Sequence, residues 1–171
     1  MINYTGNGNS NQSIAHGLGT QPDFVIAGCR RTTEEINTSI WQIDLNTANQ
    51  ASRLVLETNN LRQTSDPDCW GTDASHFPDN QFFYVGSDSF CNKNNTDYTM
   101  YLFTSIVGYS HFGTYVGNSG TENNGTFVFT GFRPAFVLIK NSSASASWTL
   151  ADSTQEEFNP CDTFIFPNTG S

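Results

Sequence analysis

The sequence predicts an all-β protein: an antiparallel β-sandwich of the jelly-roll or lectin-like kind, with one full unit and the first half of a second. Three observations carry this reading. Short apolar runs such as "DFVIAG" (23–28) and "AFVLIK" (135–140) are rich in branched and aromatic residues and too short for buried helices. Asn, Thr, Ser and Gly are used heavily, and these favour turns and extended chain over helix. The opening of the chain also starts again two-thirds of the way along.

The repeat sets the domain organisation. "YTGNG" at Tyr4–Gly8 returns as "YVGNS" at Tyr115–Ser119, a spacing of 111. "SIAHGLGTQPDFVIAG" (13–28) returns as "GTFVFTGFRPAFVLIK" (125–140), where Pro22 and Pro134 are spaced by 112. Downstream, "WQID" at Trp41 is echoed by "WTLAD" at Trp148, which assigns both tryptophans to matching core positions. The units are therefore 1–110 and 111–171. Pro22 and Pro134 set the entry to the apolar strands. Gly6, Gly8, Gly17, Gly19, Gly117 and Gly131 are suited to turns that need positive φ.

The remaining elements follow from pattern. The continuous apolar runs imply strands covered on both faces. "QFFYVGS" (81–87) and "YTMYLFTSIVGY" (98–109) read as strands joined in an antiparallel hairpin across the turn-rich "DSFCNKNNTD". In the second strand, Tyr98, Met100, Leu102 and Ile106 share a face. "SIWQIDL" (39–45) and "RLVLET" (53–58) form a further pair. The stretch 47–63 also has an alternative helical reading, since Ala48, Ala51, Leu54, Val55 and Leu61 lie near helical spacing.

The chain of 171 residues carries a net charge of −9 with only seven Lys plus Arg. So acidic a surface repels phosphate backbones and anionic membranes, so neither nucleic acid nor membrane is expected as a partner. No apolar run reaches the length needed to span a bilayer. The start, "MINYTGNGNS", lacks the basic and apolar regions of a signal peptide, so the expectation is either synthesis in a cytoplasm or a fragment whose targeting lies elsewhere. Cys29, Cys69, Cys91 and Cys161 contain no C-x-x-C pair, which argues against zinc. They can form two disulfides or remain thiols; outside a cell disulfides are favoured, and Cys69 with Cys91, the nearest pair, is the candidate bridge.

The motifs "YTGNG", "HGLGTQPDFVIAG", "SRLVLETN", "DCWG", "GSDSFCNKNNTDYTMYLFTSIVGYSHFGTYVGN" and "GTFVFTGFRPAFVLIKN" cover nearly the whole chain. Together they resemble a family of uncharacterised repeat domains in tail and virion proteins of tailed bacteriophages, many of them marine. The resemblance implies a structural part of a virion, a tail fibre or similar appendage. It implies assembly with other copies, as a homotrimer, and with other virion proteins. It also implies contact with host surface glycans. It transfers no catalytic residues.

Candidate sites are few. The loop 66–80 combines Asp68, Asp73, His76, Trp70 and Phe77 with Asp66 and Asp79. Aromatic rings beside hydrogen-bonding groups can grip a sugar, ring face to C–H and carboxylate to hydroxyl, so Trp70, Asp68, Asp73, His76 and Phe77 form the candidate ligand site; the competing reading folds Trp70 back as a cap on the core. The acidic spacing matches no EF-hand loop, so no metal and no cofactor is expected. His16 and His111 read as turn and linker histidines bonded to backbone. Glu34 with Glu35, and Glu156 with Glu157, are adjacent rather than set across a cleft, and make poor glycosidase pairs. A non-enzymatic virion component is therefore expected, with a carbohydrate-binding module or bacterial surface adhesin as the alternative.

Overall fold

The computed structural model describes residues 1–30, 38–46, 52–64, 68–71, 73–119, 124–155 and 162–169. Its strands are β1 (Ile2–Thr5), β2 (Gln12–Ala15), β3 (Phe24–Cys29), β4 (Ser39–Gln42), β5 (Leu54–Val55), β6 (Phe82–Val85), β7 (Asp97–Phe103), β8 (Phe136–Ile139) and β9 (Thr149–Asp152). One short helix, α1 (Ser89–Asn92), lies between β6 and β7. The fold is all-β. A five-stranded antiparallel sheet runs in the order β1-β7-β3-β4-β5, and β2 pairs with β6 and β8 with β9 in two-stranded sheets.

Alternation along the strands builds the first core. Val25 and Ala27 of β3, Trp41 of β4, and Met100 and Leu102 of β7 point to one face of the large sheet. Ile14 of β2 and Phe83 and Val85 of β6 meet them from the small sheet, so the two sheets share one apolar interior. Phe83 stands edge-on to Trp41 at 5.4 Å and to Trp70 at 5.6 Å. The other side chains of the same strands, Phe24 and Ile26 of β3 and Ile40 of β4, face the opposite way. They pack in a second cluster with Leu54, Trp148 and Leu138. This explains why β3 is apolar without a break: it has a core on each face.

The joint between β6 and β7 differs from the expected hairpin. The two strands lie in different sheets, and the segment between them crosses from one to the other. The crossing is held by buried Asn92. Its Nδ2 donates to Gly86 O at 2.6 Å and Asn9 O at 2.8 Å, while its Oδ1 accepts from Asn7 N at 2.8 Å. Asp88 caps α1 by accepting from Phe90 N at 2.6 Å. Tyr4 and Tyr98 stack at 5.2 Å, and their hydroxyls donate to Cys91 O and Ser89 O. Gly6 fits beneath, where an added Cβ would lie 2.3 Å from Lys93 O. Gly6 thus serves close approach, and neither it nor Gly117 is among the positive-φ glycines.

Three more expectations change. β7 ends at Phe103, and Ile106, 52% exposed, sits in a tight turn whose N–H reaches Ser110 O rather than extending the buried face. The stretch 52–63 contains β5 and an Arg53–Gln63 bridge instead of a helix; residues 47–51 lie outside the described set. β8 is not covered on both faces, since Phe136 is 57% exposed.

The second unit nevertheless repeats the pairing of the first. β3 pairs with β4 so that Phe24 faces Gln42 and Ile26 faces Ile40; β8 pairs with β9 so that Phe136 faces Asp152 and Leu138 faces Leu150. Beyond them, Ile40 faces Leu54 and Leu150 faces Ile165. Gly19 at φ 73° and Gly131 at φ 81° make the same turn into the two prolines. The tryptophans, however, are not equivalent. Trp41 stands opposite Val25, whereas Ala151 stands opposite Val137, so Trp148 falls outside the paired segment, just before β9. Trp148 is buried all the same, but at the joint between units, where its Nε1 donates to Val55 O at 2.9 Å.

Replacing Asn92 with Ala strands several buried partners at once, so urea unfolding should show a loss of about 3 kcal/mol, against the roughly 1 kcal/mol of an ordinary hydrogen bond.

Candidate functional site

The loop singled out in the sequence divides between core and surface. Trp70 has no accessible surface, and its Nε1 donates to Ser52 O at 3.2 Å. Its ring faces are taken up by the first core, so it is not a platform for a sugar, and the expectation that it grips a ligand is corrected. Phe77 likewise packs edge-on to Trp41 at 5.8 Å. Asp68 and Asp73 are exposed. Asp73 Oδ1 accepts from Ser75 N and lies 2.8 Å from His76 Nδ1, and the His76 bond, above all, holds its carboxyl below the usual carboxylate range. His76 also stands edge-on to Tyr84 at 5.3 Å. Asp79 is lowered in the same way by the N–H groups of Phe82 and Gln81. These are turn contacts: Asp73 and His76 meet at the surface, whereas Trp70 and Phe77 pack into the first core.

His16 sits in a turn: Leu18 N donates to its Nδ1 at 3.2 Å, so Nε2 carries the proton toward Asp79 O at 3.1 Å. Among the described residues, no group of three or more His, Cys, Asp or Glu gathers as a metal site. Asp66, Cys161, Glu34, Glu35, Glu156 and Glu157 lie outside the described residues.

Cys69 and Cys91 do meet. Their sulfurs lie 2.7 Å apart in the first core, as two thiols rather than a bridge, and Cys91 Sγ donates to Cys69 O. Burial, first, and the neighbouring Cys69 thiol push the Cys91 thiol well above its ordinary pKa. Burial also lifts Tyr98 to about 12 and Tyr4 well above its usual value. Cys29 is only half-buried.

A cleft of about 610 Å³ lies where the segment 111–119 and β8 meet the outer face of the large sheet. Its lining includes the extended segment 113–117, the end of β8 with residues 140–143, and Phe24, Gln42, Leu54 and Trp148. The extended segment is pinned by aromatic contact: Phe112 stacks on Phe24 at 5.4 Å and lies 5.9 Å from Phe103. Lys140 Nζ is drawn to the backbone, donating to Ala146 O at 2.8 Å, and partial burial lowers its pKa. His111 also borders the cleft. Sequence reasoning did not find this site, because its walls come from linker and strand edge rather than from chemically marked residues.

Trp70→Ala should cost about 3–5 kcal/mol in chemical unfolding, the range for an aromatic removed from a core; a fully stable variant would return Trp70 to the surface. Alkali should also destabilise the fold. Cys91 and the two tyrosines bind their protons more tightly when folded, so their contribution is complete below the unfolded thiol pKa, near 9, and is lost as pH rises above it. The urea midpoint should fall between pH 9 and 12, and a flat profile would contradict these burials.

No curated protein and no solved structure matches the chain. One family model does, over residues 1–171, and the chain belongs to that family, described as a domain of unknown function, DUF7483.

Proposed function

We propose that the chain is a non-enzymatic building unit of a bacteriophage virion, part of a tail fibre or similar appendage. The observation that carries the reading is the return of the β3-β4-β5 pairing as β8, β9 and Ile165 in the same register. Consecutive units that pack end on end lengthen a structure without a new fold, which suits a projecting rod. The resemblance of its motifs to those of phage tail domains supports the same reading, as does the low content of basic residues. The displaced carboxylates Asp73, Asp79 and Asp152 are each explained by hydrogen bonds within turns, a structural use of charge rather than a catalytic one. Glycans of the host surface remain the ligand class for such an appendage, and their contact surface lies elsewhere than on Trp70.

Sedimentation equilibrium of the purified chain should give three times the monomer mass, with elongated particles in electron microscopy. A monomer at micromolar concentration, or release of oligosaccharide from a host polysaccharide, contradicts the proposal.

A further inference from the structure

The first core holds a pair of thiols for which the proposed function has no use. Cys69 and Cys91 have no accessible surface, and their sulfurs lie 2.7 Å apart. The backbone sets this meeting. Residues 68–70 run beside the end of β6: Gly86 N donates to Cys69 O at 3.0 Å, Asp88 N donates to Asp68 O at 2.8 Å, and Trp70 bridges to Val85. Asp88 then caps α1, and Cys91 N closes the first turn on Asp88 O at 3.2 Å. That turn brings the Cys91 sulfur onto Cys69. The two cysteines sit in separate connections: Cys69 in the loop between β5 and β6, Cys91 in the crossing between β6 and β7. Cys91 O also accepts from the Tyr4 hydroxyl of β1. Cys29, on β3, is only half-buried and is not part of this core.

We propose that Cys69 and Cys91 are a redox-controlled lock on the first unit: thiols in a reducing compartment, and a disulfide with each other, rather than with Cys29, in an oxidising one. Two cysteines can bond only where their side chains converge, and these two do. The oxidant is a small disulfide such as oxidised glutathione. One cysteine thiolate attacks a glutathione sulfur and releases one glutathione thiolate. The other cysteine, as thiolate, attacks the protein sulfur of that mixed disulfide and releases the second glutathione. Two protein thiols lose two electrons and two protons, and the glutathione disulfide gains them as two thiols. Burial governs the rate. It screens both sulfurs from glutathione and keeps the Cys91 thiol protonated, so the exchange belongs to folding or to moments when residues 68–71 lift off β6. Once made, the bond closes a loop spanning 22 residues and removes from the unfolded chain the conformations in which its ends are apart. It ties the β5–β6 loop to the crossing that places β6 and β7 in different sheets. The proposal stands on this pair alone and does not depend on a virion role.

The sequence offers a direct test. Trypsin cuts after Arg62 and Lys93, which leaves Cys69 and Cys91 in one peptide, 63–93, and puts Cys29 and Cys161 in others. The full chain is refolded from urea in a mixture of oxidised and reduced glutathione, free thiols are alkylated, and the tryptic peptides are weighed. Peptide 63–93 should be unalkylated and lighter by two hydrogens. The folded chain in the same mixture should reach that product more slowly. In urea titrations the bridged chain should have an unfolding equilibrium constant on the order of a hundredfold below that of the same chain kept in dithiothreitol. Cys91→Ala should show no difference between the two conditions. The proposal is overturned if peptide 63–93 is alkylated at both cysteines after refolding, or if either is joined to Cys29 or Cys161. A bridged chain no more stable than the reduced one would also overturn it.

Discussion

An apolar strand has two faces and two edges, and each needs a partner. β3 meets this demand in full. Val25 and Ala27 enter the first core, Phe24 and Ile26 enter the second cluster, and β7 and β4 bond its two edges. Around that strand the rest of the unit is arranged. β7 is held between β1 and β3, and the small sheet closes over the face that carries Val25, Trp41 and Met100. The crossing that lets β6 and β7 serve different sheets depends on the hydrogen bonds of Asn92 and on the two stacked tyrosines.

The second unit inherits the strand but only part of its cover. β8 has the turn, the proline entry, the β4-like partner and the bridge beyond it. On its apolar inner side it reaches back, through Leu138 and nearby Trp148, to the outer face of the first unit's sheet. The later strand pair therefore buries part of the outer face of the earlier sheet. Phe127, 85% exposed, aligns with Ala15 at the end of β2, whose partner in the first unit is β6.

Local features were legible in the sequence. The apolar runs, the glycine turn before each proline and the existence of the β4–β5 pair are set by residues near one another, though the pair is shorter than read: Ile43–Leu45 turns into a 3-10 helix and β5 is only Leu54–Val55. Cys69 and Cys91 do meet in space, 22 residues apart, though as thiols. What was not legible depends on long-range choice. "QFFYVGS" and "YTMYLFTSIVGY" look like a hairpin because alternation shows that a strand exists but not which strand it joins. Trp41 and Trp148 look equivalent because a shared residue type was used to align segments that the pairing register offsets. Trp70 in a polar loop looks like a ligand platform, yet the loop folds its ring inward to Phe83 and leaves Asp68, Asp73 and Asp79 exposed. The cleft carries no chemical signature of its own, since its lining comes from linker and strand edge.

Amide hydrogen exchange in the isolated chain, at a concentration where it is monomeric, compares β3 and β8 most directly. With a partner on each edge, consecutive amides from Phe24 to Ala27 should be protected alike. From Phe136 to Ile139, protection should alternate, slow where the N–H points to β9 and fast where it points away from it. Uniform protection along β8 in the monomer would mean that its second edge is already paired, and the contrast drawn between β3 and β8 would fail.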